Sequence, residues 1–199
     1  NICYSGVADI FRLPKFSLSF FRTQIAEGSM LPSGKMPYEV FIPAYRDEIL
    51  SDTVMVYGNV DEVELILNGK TIRRQTADKG PDSDYIPVPN GGNGKNLHFP
   101  PFTFYGVPKE RGVLKAVGYH QGKKVAEYTV KTPGVPERLD ITYFESGKPA
   151  TKNDLLIVYV RMLDKQGVLC PVNGIPVELS VQGGEIVGPT SYPLEAGVA

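Results

Sequence analysis

Val56-Tyr57-Gly58-Asn59-Val60-Asp61-Glu62-Val63-Glu64-Leu65-Ile66-Leu67-Asn68-Gly69-Lys70 is the stretch on which the fold turns. Val63 and Leu65 alternate with Glu62 and Glu64, the two-residue period of a strand with one wet face. The strand runs directly into Asn68-Gly69. That pair suits a two-residue type I′ hairpin, because both central positions need positive φ. Lys70 to Gln75 is then the return strand, and Val54 to Tyr57 is a strand leading in.

The same grammar continues outward. Val113–Tyr119 and Lys124–Val130 flank His120-Gln121-Gly122 and predict a second hairpin, while Phe99 to Val107 is aromatic and extended. Thr132-Pro133-Gly134-Val135-Pro136 is short and stiff, with no room for structure of its own, and marks a domain boundary. Beyond it Leu139–Phe144, Leu155–Leu163 and Pro176–Val181 read as strands, with a turn at Asp164-Lys165-Gln166-Gly167. The 21 Gly and 17 Pro between β-branched and aromatic runs favour strands over helices. One segment departs from this. Pro14 to Ile25 has Pro where a first helical turn tolerates it and is followed by Gly28, where a helix commonly stops. Phe16 and Phe20 share one helical face; Leu18, Phe21 and Ile25 share another. A helix apolar on most sides is expected to be buried on most sides.

Composition narrows the function. With 42% apolar and 22% charged residues, wholesale disorder is excluded. A net charge of -1 gives no pull towards nucleic acid or an anionic membrane, and no apolar run approaches the ~20 residues of a bilayer span. Cys3 and Cys170 fall in different modules and are expected to be free thiols; His98 and His120 lie in separate turns. No metal centre and no cofactor are expected from so few ligands.

Three stretches together resemble the family-two glycoside hydrolases, the group that includes bacterial β-galactosidases. Ser5 to Phe16 is similar to the segment that closes their catalytic (β/α)₈ barrel. Val56 to Lys70 resembles the start of the immunoglobulin-like module behind that barrel, and Gly112–Tyr119, Val125-Ala126 and Thr132-Pro133-Gly134 its end. Asp154 to Gly188 is similar to the next such module. The resemblance implies an all-β chain of two immunoglobulin-like β-sandwich modules in tandem, preceded by a short helical remnant of the barrel. The expected limits are 1–36 for remnant and linker, 37–133 for the first sandwich and 134–199 for a second, truncated one. A truncated sandwich leaves an open edge, a template for self-association.

The implied parent hydrolyses β-galactosides or related β-linked sugars with retention, and is periplasmic or secreted. Retention needs two carboxyl groups about 5 Å apart. In this family the acid/base Glu follows an Asn, and both catalytic Glu residues lie on barrel strands. No Asn-Glu pair occurs here, so no catalytic role is carried over. The expected partner is the catalytic barrel of the same polypeptide, which this region braces. The alternative is carbohydrate binding by exposed aromatics in 99–105, namely Phe99, Phe102 and Tyr105. Against it, Phe102 and Phe104 alternate as core residues would, and the chain has no Trp to offer the widest stacking surface. Glu62 and Glu64 share a strand face but read as its wet side. Asp82 and Asp84 lack the further oxygen ligands that calcium needs, so a solvated loop is the better reading. The glycines of Asn90 to Gly94 have no strand and helix around them, unlike a phosphate loop.

Overall fold

The Asn68-Gly69 turn forms as its residues dictate, with φ of 50° and 79°, and Leu67 faces Lys70 across it. A computed structural model describes residues 6–8, 14–44, 52–78, 97–143 and 155–199. The chain divides into two compact units, Asn1–Lys131 and Thr132–Ala199.

In the first unit helix α1 (Phe16–Thr23) is followed by the short strands β1 (Met30–Leu31), β2 (Gly34–Lys35) and β3 (Val40–Phe41). Then come β4 (Thr53–Gly58), β5 (Glu62–Leu67), β6 (Lys70–Thr76), β7 (Phe102–Tyr105), β8 (Val113–His120) and β9 (Lys123–Lys131). The strands form a three-stranded sheet, β3-β4-β7, and a four-stranded sheet, β6-β5-β8-β9, with every pairing antiparallel. Alternation aims Val54 and Val56 from β4, Val63, Leu65 and Leu67 from β5, and Leu114 and Ala116 from β8 into one core. Phe102 and Phe104 join them from β7 with no exposed surface. This is an immunoglobulin-like sandwich.

Two details show why β3 lies where it does although its two residues give almost no pattern. Val40 occupies a notch left by missing side chains: a Cβ on Gly118 or Gly58 would sit 2.7 or 2.9 Å from its Cγ1. Its neighbour Phe41 points to the other side, towards α1.

The sandwich therefore has a third layer. Phe16 packs on Phe41 at 5.6 Å between ring centroids, and Phe20 meets Tyr57 edge-on at 5.0 Å. Phe41 and Tyr57 are register partners, so helix α1 lies on the outer face of the three-stranded sheet. The helix is shorter than the 14–25 expected and is not buried on most sides. Phe21 is 55% exposed because its side of the helix points away from the sheet, and Phe16, though packed on Phe41, stays 37% exposed.

The second unit contains β10 (Pro136–Tyr143) paired with β11 (Val158–Asp164), and β12 (Pro176–Glu178) paired with β13 (Ser191–Pro193). Its small core is Val160, Val177 and Leu194. Asp164, at the end of β11, is 3% exposed, and its carboxylate organises the turn predicted there. Oδ1 accepts the N–H groups of Gln166 and Val168 at 2.8 Å each, and Oδ2 accepts Gly134 N–H at 2.7 Å. Cys170 is a buried free thiol whose pKa is raised by that burial; Cys3 lies outside the described residues. Along β10, Leu139, Ile141 and Tyr143 are all exposed.

Candidate functional site

The described residues that follow α1, 24–44, hold only three two-residue strands, so side chains must help to hold them. Three polar clasps do so. Asn59, in the β4–β5 turn, is 3% exposed; its Nδ2 donates to the carbonyls of Ile25 and Pro37 at 3.0 Å each, and its Oδ1 accepts Glu39 N–H at 2.6 Å. Gln24, at the C-terminal cap of α1, donates to Phe99 O at 3.0 Å and accepts Phe99 N–H at 3.1 Å. Arg22 grips the Glu39 carboxylate, its Nε lying 3.1 and 3.0 Å from the two oxygens, and this contact raises the guanidinium pKa. Bidentate, charge-assisted pairing of this kind fixes geometry as well as energy. The helix end, the linker and the base of the 99–105 stretch are thus tied to one sandwich.

Beside the clasps runs an open groove of about 370 Å³ between α1, the 38–41 segment and β9. Its chemistry is already engaged. Arg22 holds Glu39, and Glu127 accepts from Lys124 at 2.6 Å with Lys115 Nζ 3.7 Å away. Tyr38 stacks on His120 at 4.9 Å, and Phe41 meets Tyr128 edge-on at 5.6 Å.

The residues singled out for sugar contact do not form a platform. Phe102 is fully buried in the core, facing Val56 across the sheet, and cannot stack on a sugar. Phe99 and Tyr105 are half-buried, the former packed edge-on against His98 and clasped by Gln24. Thr103 is buried too, at 2% exposure, because Asp78 covers the outer face of β7: its carboxylate accepts the Thr103 hydroxyl at 2.6 Å.

Glu62 and Glu64 sit on the outer face of the four-stranded sheet in one polar network. Arg74 donates to Glu62 through Nε at 3.1 Å and lies 3.7 Å over the Tyr119 ring. Glu64 accepts from Thr71 and Tyr119 at 2.7 Å each, and these bonds hold its pKa below the usual carboxylate range. Asp82 and Asp84 and the Asn90–Gly94 glycines lie outside the described residues.

Asp61, next to Glu62, caps the β8–β9 turn. It accepts Gln121 N–H at 2.8 Å, which lowers its pKa, with His120 Nδ1 3.1 Å away. A carboxyl group with a folded pKa below its unfolded value, ~3.9, stabilises the fold above that value and loses the effect as pH falls through the folded pKa. We therefore expect the stability gap between wild type and Asp61→Asn, measured by urea unfolding, to be larger at pH 7 than at pH 3. A gap that does not change with pH would contradict the assignment. The side chain is 54% exposed, so salt should shrink the gap.

Fold and clasps together define a helix-capped immunoglobulin-like module in the first unit, and the chain continues into a second, β-structured unit. The family model described as Domain of unknown function (DUF4982) matches residues 51–126. A β-galactosidase of Thermoanaerobacter pseudethanolicus is 33% identical over 99% of this chain and 26% of its own length. A β-galactosidase of Rhizobium radiobacter is 31% identical over 50% of this chain and 72% of its own length. Among solved structures, a family-two β-glucuronidase superposes with a TM-score of 0.72 at 23% identity, covering 98% of this chain and 19% of that one. A β-glycosidase from Bacteroides vulgatus gives 0.60 at 18% identity, over 86% and 19%. This chain belongs to the family-two glycoside hydrolases. It spans 26% of the Thermoanaerobacter relative and 19% of a Bacteroides ovatus β-galactosidase that is 29% identical to it.

Proposed function

We propose that this region is non-catalytic and braces the catalytic barrel of a retaining, β-galactosidase-like hydrolase within the same polypeptide. The observation that carries the reading is helix α1. Polar clasps at Arg22, Gln24 and Asn59 hold it and the linker to the first sandwich, while Phe21 on its far side is left 55% exposed. A rigidly mounted helix with an apolar outer face suits a joint between two bodies. The half-buried Phe99 and Tyr105, without Phe102, are a poor basis for a lectin-like role. The family resemblance further supports a periplasmic or secreted parent.

Incubating the chain with a nitrophenyl β-galactoside tests the reading, with a galactose titration followed by intrinsic fluorescence as its second arm. We expect no turnover above the buffer rate and no saturable fluorescence change. Turnover that survives repurification would overturn the non-catalytic assignment; saturable binding abolished by Tyr105→Ala would favour the carbohydrate-binding alternative.

A further inference from the structure

We draw no further inference here: the strongest candidate, the exposed apolar face of the β10–β11 pair formed by Leu139, Ile141 and Tyr143, carries nothing because nothing in the structure shows what covers it.

Discussion

Phe102→Ala is expected to remove about 3–5 kcal/mol from the unfolding free energy of the first module. Phe102 has no exposed surface and lies in the cluster that joins the two sheets through Val54, Val56, Leu65 and Leu114. Truncation removes most of a large ring and leaves a cavity that paired strands on both sides cannot collapse to fill. Tyr105→Ala, three residues on at the half-buried end of β7, should cost much less. Chemical denaturation followed by tyrosine fluorescence reads both. Equal losses would mean that Phe102 is not a core residue, and the sandwich assignment for β7 would fall with it.

Asn59→Leu is expected to cost about 3 kcal/mol or more, although the two side chains have similar volume. The substitution leaves the carbonyls of Ile25 and Pro37 and the N–H of Glu39 without their partner in a buried site. Each unmet buried group costs roughly 1–3 kcal/mol, less whatever water can reach. The loss should also be local: hydrogen exchange in α1 should accelerate far more than in β5 or β8, because the helix is held by the clasps and the sandwich by its own core. Uniform acceleration across the unit would show that Asn59 stabilises the sandwich as a whole rather than the attachment of α1 and the linker.

How far the fold is legible in the sequence depends on how much of each element's environment is local. The β5–β6 hairpin announces itself because Val63 and Leu65 alternate with charge and Asn68-Gly69 supplies the left-handed turn; β8 and β9 follow the same logic around Gln121-Gly122, whose φ values are 48° and 76°. Strands β3 and β13 escape notice. They are two and three residues long, and β3 is placed by the notch over Gly58 and Gly118, which come from distant positions. On β7 the alternation breaks down at Thr103, buried because Asp78 folds over it, and no local pattern records that. Helix α1 is visible as a helix, but its sidedness depends on Phe41 and Tyr57. The clasps are partly legible: Asn59 sits in the family-like motif, whereas Arg22, Gln24 and Glu39 form no pattern until the chain folds. In the second unit Leu139, Ile141 and Tyr143 alternate as a strand should, yet alternation identifies a shared face without saying what covers it.

The bracing role stands or falls on the outer face of α1, and Phe21→Lys tests it most directly when thermal unfolding is measured in the native polypeptide and in this chain alone. In the chain alone Phe21 is largely solvent-exposed, and a surface change of this kind alters stability by no more than about 0.5 kcal/mol. In the native polypeptide the account predicts a clear fall in the melting temperature of the hydrolase, because burying a Phe contributes roughly 1.5–3 kcal/mol and a lysine at that contact would carry a charge out of water. A melting temperature unchanged in both, or lowered equally in both, would contradict the claim that this helix joins the sandwich to a barrel.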